Sequence, residues 1–282
     1  MGPRRHRRAR SITRLALTAV ALTACAVDGT VVAEISPDRP DTAVPGVVSS
    51  VIDGDSLRVE VDGTRLEVRL AGINAPEADE CHADRSRQYV TETVEGTVWI
   101  EVVGTDQFGR SLAGVWTESG FLNEAIVAEG GALAMTDDTQ WASDLIDAEE
   151  TARGAGLGMW SPTACGESVA IDIDIEMTAP DPPGPDNEVL DDEIVTLRNT
   201  GSATIDLTGF VLRDESSVNR LQLPNGTTIP SGGALEIASG CAPRSGLGWC
   251  AHQAIWNNGG DSALLVSPGG TIVAHVRYAP SR

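Results

Sequence analysis

The chain has 282 residues and 41% hydrophobic residues, long enough for two folded domains with their own cores. Its 20 basic residues are all arginine and face 41 acids, a net charge of −21, which excludes a protein that holds nucleic acid through general positive charge. Only 4% is aromatic, so the cores are expected to consist mostly of Val, Leu, Ile and Ala.

Six arginines (Arg4, Arg5, Arg7, Arg8, Arg10, Arg14) precede an apolar run that begins near Leu15 and ends Leu22-Thr23-Ala24-Cys25. Residues 1–24 read as an export signal, and the run is too short for a comfortable membrane span. Its end resembles a bacterial lipobox. That resemblance implies a lipid-modified Cys25 as the mature N-terminus and a chain anchored on the outer face of the cell membrane. An ordinary secretory signal, with a released chain, is the alternative. Residues 25–45 are small, acidic and proline-bearing (Pro37, Pro40, Pro45) and read as a flexible tether.

Residues 46–166 read as one domain. Val47–Ile52 and Ser56–Val61 alternate apolar and polar residues around an Asp53-Gly54 turn, and Asp62-Gly63 turns into Arg65–Leu70. Thr97–Val103 and Ser111–Thr117 bring the strands to five. Helices are expected over Asp84–Glu95, Phe121–Glu129 and Thr139–Ala155, the last with Trp141, Leu145, Ala148 and Ala152 on one core-facing side. The chemistry concentrates in VIDGDSLRVEVDGTRLEVRLAGINAPE (residues 51–77) and DQFGR (106–110). They hold two close aspartates (Asp53, Asp55), Arg69, the Asn74–Glu77 turn and Arg110. An acidic cluster, one carboxylate base and two guanidiniums are what metal-assisted phosphodiester hydrolysis needs.

These blocks resemble the staphylococcal nuclease (thermonuclease) family, whose pattern runs V-I-D-G-D-T, R-L-x-x-I-D-T-P-E, D-x-[YF]-G-R-x-L-A. The resemblance implies an OB-fold barrel and calcium-dependent hydrolysis of DNA or RNA, single-stranded or frayed, with little sequence specificity. It implies that Asp55 is a calcium ligand with Asp53 close to the metal. Arg69 and Arg110 would bind the scissile phosphate, and Glu77 would activate or orient the attacking water. Two positions depart from the pattern. Asn74 stands where the family has a second aspartate ligand, and Ala75 where it has threonine. An amide oxygen still ligates calcium at the loss of one formal charge, and Ala75 offers its backbone carbonyl. The expectation is an active enzyme with weakened metal binding. The alternative is a cell-surface binding or scaffold protein in which Asn74 has disabled the site and the C-terminal domain carries the function. A pure nucleic-acid-binding OB-fold is disfavoured, because residues 46–166 hold seven arginines against 22 acids. Phe108 either stacks on a base or packs, and Asp106 either orients its loop or assists the metal site.

Export favours disulfides, and Cys81 is expected to pair with Cys165, tying the end of this domain to the loop after Glu77. A zinc site at Cys81-His82 is the weaker alternative, lacking a C-x-x-C partner. Residues 167–282 show short strands punctuated by Gly, Asn and Pro, as in a β-sandwich. Here E-x-V-x-L-x-N, D-L-x-G-[FW]-x-L-x-D, L-P-x-G and N-x-G-D resemble the lamin-tail domain. That implies an immunoglobulin-like sandwich, an accessory module whose ligand is unknown. Cys241 and Cys250 are expected to form a local disulfide. Asp206, Asp214 and Asp261 either ligate a cation or cap loops. The whole reads as mainly β: a five-stranded OB barrel with about three helices, followed by a sandwich.

Overall fold

Alternation sets the first body. In β2 (Ser56–Val61), Leu57 and Val59 are fully buried while Arg58 and Glu60 turn outward; in β3 (Thr64–Leu70), Val68 and Leu70 point in. The computed structural model describes Gly2 and residues 38–279 except 138 and 167. Apart from Gly2, the expected export signal, with Cys25 and the expected tether up to residue 37, lies outside the described residues. Residues described from 38 onward fall in one compact unit.

The first body runs β1 (Val44–Val51), β2, β3, β4 (Ile73–Asn74), α1 (Ala83–Thr93), β5 (Thr97–Thr105), β6 (Ser111–Thr117), β7 (Gly120–Phe121), α2 (Leu122–Ala128), β8 (Leu133–Ala134) and α3 (Ala142–Ala155). The sheet order is β3-β2-β1-β5-β6-β7, and a parallel β3–β6 pairing closes five strands into a barrel. Strand β1 begins two residues inside the stretch assigned to the tether, and Val44 and Pro45 pair with Ile100 and Trp99. Arg39 also lies over the Trp99 ring at 4.1 Å. The tether's last described residues therefore pack on the barrel.

The barrel interior is aliphatic, as expected, but three aromatics, Trp116, Phe121 and Trp141, are core residues too. Trp116, Phe121 and Trp141 stack within 5.7 Å of one another where α3 meets β6. Asn123 on α2 is fully buried. It donates to the Ala71 and Ala113 carbonyls and accepts from Val115 N–H, which pins the helix to the barrel.

The second body comprises β9 (Ile173–Ala179), β10 (Ile194–Asn199), β11 (Ile205–Asp206), β12 (Val211–Arg213), β13 (Arg220–Gln222), β14 (Thr228–Ile229), β15 (Ala234–Ala238), β16 (Leu247–Gly248), β17 (Asp261–Val266) and β18 (Ile272–Tyr278). Two four-stranded sheets, β16-β15-β10-β9 and β13-β12-β17-β18, enclose a core that includes Val195, Leu197, Leu212, Ile237, Trp256 and Leu265. This is the expected sandwich. Disulfides join Cys81 to Cys165 and Cys241 to Cys250, with Cα separations of 5.6 and 4.2 Å. The zinc alternative at Cys81 is thereby overturned. Asp206, Asp214 and Asp261 accept hydrogen bonds from their own loops, from Thr208, Asn219 and Asn257 among others, and so cap them.

The two bodies share a third apolar cluster. Leu133 and Met159 of the first meet Leu264 of the second, all three buried. Gly270 abuts the disulfide so closely that a Cβ there would stand 2.8 Å from Cys81 Cβ. Among the described residues no helix is long and apolar enough to cross a membrane.

Candidate active site

The turn between β1 and β2 brings Asp53 and Asp55 to one end of the barrel. The Asp53 carboxylate accepts the Asp55 N–H at 3.0 Å and so shapes its own turn. Gly54 faces inward, where a Cβ would strike Ala75 Cβ at 2.7 Å and Ser86 Cβ at 2.8 Å, so only glycine lets the aspartate turn lie against the Asn74-Ala75 segment. That segment arrives by a tight bend. β3 ends at Leu70, Gly72 takes φ +76°, and β4 pairs Asn74 with Leu133 of β8.

One continuous hydrogen-bonded chain links the expected site residues. Arg69 Nη2 is 3.1 Å from Asp55 Oδ2 and donates to Asn74 Oδ1, also at 3.1 Å. Its Nη1 donates to the Leu70 and Ile73 carbonyls. Asp55 Oδ2 accepts Ala75 N–H at 2.6 Å, and Asp55 Oδ1 accepts the Ser56 hydroxyl at 2.9 Å. Ser56 Oγ in turn lies 3.4 Å from Arg110 Nη1. Asp106 holds Arg110 from the far side, Nε to Oδ2 at 2.6 Å, and its other oxygen caps the Phe108 and Arg110 amides. Asp106 thus orients its loop and an active-site arginine. Glu77 is exposed and stands apart from this chain, three residues beyond Asn74. Phe108 is 75% exposed, which removes the packing alternative, and Arg110 lies over its ring at 5.6 Å.

Burial pushes the Asp55 carboxyl up to about 6, against the pull of Arg69, with Asp53 adding to the rise. Arg69 is the cation that offsets this burial. Oxygens of Asp55 and Asn74 already converge on one positively charged nitrogen. Asp55, the Asn74 amide oxygen and backbone carbonyls are hard oxygen donors, the set calcium prefers. Among the described residues no group of three or more His, Cys, Asp or Glu is placed to hold a metal. The fit is therefore to an ion held by one carboxylate with neutral oxygens and completed from outside the chain.

The second body meets this site directly. Asn74 Nδ2 donates to the Glu215 carbonyl at 3.0 Å, and Ser217 Oγ donates to Glu77 Oε1 at 2.8 Å. Glu80 accepts from Arg213 and from Arg220. A cavity of about 620 Å³ opens between Asn74, Pro76, Glu80, Arg213, Arg220 and Pro268. Arg69 and Arg110 are not among its walls. Ser56, Glu215, Ser217 and the Glu80 ion pairs were not foreseen. Ser56 sits inside the quoted motif, but the other contacts reach across more than 130 residues and leave no local pattern.

Comparison with known proteins agrees with this geometry. The family model described as "Staphylococcal nuclease homologue" matches residues 67–162, and "Lamin Tail Domain" matches 167–280. Protein ParB of Escherichia coli is 33% identical over 127 residues, covering 41% of this chain and 72% of that protein. Micrococcal nuclease of Shigella flexneri is 31% identical over 132 residues, covering 41% and 73%. Thermonuclease of Staphylococcus hyicus is 25% identical over 126 residues, covering 40% and 74%. The chain belongs to the staphylococcal nuclease family, with a lamin tail domain following its nuclease domain.

Proposed function

We propose that this chain is a calcium-dependent phosphodiesterase that hydrolyses DNA or RNA with low sequence specificity. The observation that carries this reading is the single network Asn74–Arg69–Asp55–Ser56–Arg110, with Glu77 exposed at its edge. Two guanidiniums joined through Asp55 and Ser56 on an otherwise acidic chain suit a phosphate held locally rather than a polymer held by general charge.

In this mechanism Arg69 and Arg110 bind the non-bridging phosphate oxygens. They bind the pentacovalent arrangement more strongly than the ground state, because its charge is greater. Asp106 keeps the Arg110 guanidinium turned toward the site. Glu77 takes or orients the proton of the attacking water. A calcium ion at Asp55, Asn74 and the Ala75 carbonyl would polarise the phosphoryl oxygen and acidify a bound water. Asp53 shapes the turn that presents Asp55. Phe108 offers an exposed ring for a splayed base, which favours single-stranded or frayed substrate.

Export is part of the proposal. Two disulfides and the arginine-led apolar N-terminus support it, and Leu22–Cys25 supports lipid anchoring at Cys25. The test is hydrolysis of single-stranded DNA by the purified chain, in millimolar calcium and in chelator, beside Glu77→Ser. Cleavage that needs both calcium and Glu77 is expected. No cleavage in any condition would shift the function to surface binding through the lamin-tail domain, the ligand of which the structure leaves unassigned.

A further inference from the structure

Two atoms of the candidate site come from outside the barrel. Both belong to the loop 214–219, between β12 and β13 of the lamin-tail domain: the Glu215 carbonyl on Asn74 Nδ2 and the Ser217 hydroxyl on Glu77 Oε1. We propose that this loop is a working wall of the nuclease site, in which Glu215 orients Asn74 and Ser217 positions Glu77. The proposal rests on the nuclease reading above and deepens it.

The chemistry of an amide gives the argument for Asn74. Its two ends have nearly the same shape but opposite polarity. Rotation by half a turn would set Oδ1 against the Glu215 carbonyl and Nδ2 against the Arg69 guanidinium. Both contacts are repulsive, so the Glu215 carbonyl and Arg69 enforce the same orientation, oxygen toward Asp55 and Arg69. A carboxylate would need no such direction, since its two oxygens are equivalent. An asparagine is a useful oxygen ligand only if something accepts from its nitrogen. Here the acceptor is a backbone atom of the second domain.

The loop is stiff enough for this. Asp214 and Glu215 are buried. Asp214 accepts from Ser216 Oγ and Asn219 Nδ2, both at 2.7 Å. Glu215 Oε1 accepts the Thr136 amide at 2.7 Å and its hydroxyl at 2.8 Å. Arg213 donates to the Asp214 and Ser216 carbonyls and pairs with Glu80, so the loop is tied to the barrel at both ends of the contact. The tip, Val218, is 81% exposed and Glu77 remains exposed beside it. The loop flanks the base and does not cover it. Ser217 and Thr136 are positioning residues; neither touches the reacting atoms.

The experiment uses the full chain with Ser217→Ala, Ser217→Thr, Thr136→Val and Thr136→Ser. For each, kcat and KM are measured on single-stranded DNA, calcium affinity by calorimetry without substrate, and Tm. Ser217→Ala is expected to lower kcat about tenfold, as loss of an outer-shell partner does, with KM, calcium affinity and Tm unchanged. Ser217→Thr should restore kcat. Thr136→Val removes the hydroxyl bond to Glu215 Oε1 and keeps the amide bond; by loosening the residue whose carbonyl orients Asn74 it should weaken calcium binding about tenfold, with Thr136→Ser restoring it. Wild-type kcat in Ser217→Ala together with wild-type calcium affinity in Thr136→Val would overturn the proposal and leave the nuclease reading standing. A gain of activity in Ser217→Ala would also overturn it, by showing that the loop restrains the base. A wild-type chain that neither binds calcium nor cleaves would overturn the nuclease reading, and this proposal with it.

Discussion

The barrel side and the lamin-tail side of the site are built in opposite ways. On the barrel side, Ser56 and Arg69 are direct cross-strand partners, and Asp55 is the turn residue immediately before Ser56. Their spacing follows from β-alternation and two tight turns. On the lamin-tail side, Glu215 and Ser217 reach Asn74 and Glu77 across about 140 residues, held there by buried charge rather than by register. A site can thus have one wall fixed by local backbone geometry and another fixed only by how two domains dock.

The sharpest way to break this comparison is to loosen the docking. Arg277 of β18 donates to the Ala134 carbonyl, pairs with Glu149 and lies 3.8 Å from Glu215 Oε2. Arg277→Met leaves these buried carboxylates without their cation. Unfolding in denaturant should show a loss of about 3–5 kcal/mol, the usual cost of removing one partner of a buried pair. Wild-type stability would show that the docking does not depend on the Arg277 cation.

The barrel wall is tested by Arg110→Ala. Its hydrogen-bond partners are Asp106 and Ser56, so the barrel core should be untouched. The rate on single-stranded DNA should fall on the order of 10²–10³-fold, as for removal of one charge-stabilising donor, with little change in Tm. An unchanged rate would remove Arg110 from the mechanism.

The smallest effect is the pH dependence of the docking region. Burial, with Glu215 and Asp214 nearby, pushes Asp261 from 3.8 up to about 7, and burial also raises Glu215 and Glu149. These acids hold their protons more tightly folded than unfolded. Their stabilising contribution is complete at acid pH and is lost as pH rises, for Asp261 from near 4 to about 7. His275 acts in the other direction. Burial, then Arg277 and Arg153, pushes it from 6.5 down to about 3, so its contribution is lost as pH falls through that window. Burial and Arg85 lower His82 as well, and burial also raises Asp55, Glu193 and Asp214; the acids outnumber the two histidines, so Tm should be a few degrees higher at pH 5.5 than at pH 8. His275→Phe, which keeps the edge contact with Trp160, should steepen the rise. A flat or inverted profile would contradict the assignment of these buried acids.

The same contrast explains what the sequence disclosed. Leu57, Val59, Val68 and Leu70 announced the barrel strands by alternation. Asp53, Asp55, Arg69, Asn74, Glu77 and Arg110 stood out because their motifs are short and ordered. The Cys81–Cys165 pairing followed from chemistry and compartment. Trp141 was legible as a core residue from its helical spacing, but its clustering with Trp116 and Phe121 was not, because scarcity in composition says nothing about location. Asn123 looked like any helix residue, yet it carries three buried hydrogen bonds. Glu80, Glu215 and Ser217 were invisible for a physical reason: their roles depend on which faces of two domains meet, and no periodicity within either domain encodes that.

The most direct test of the central claim is a calorimetric titration of calcium into the intact chain and into Asp55→Asn, without substrate. The account predicts one calcium per chain, bound weakly because Asn74 brings no charge, and at least about tenfold weaker in Asp55→Asn. No binding at millimolar calcium, or the same affinity in both proteins, would contradict it.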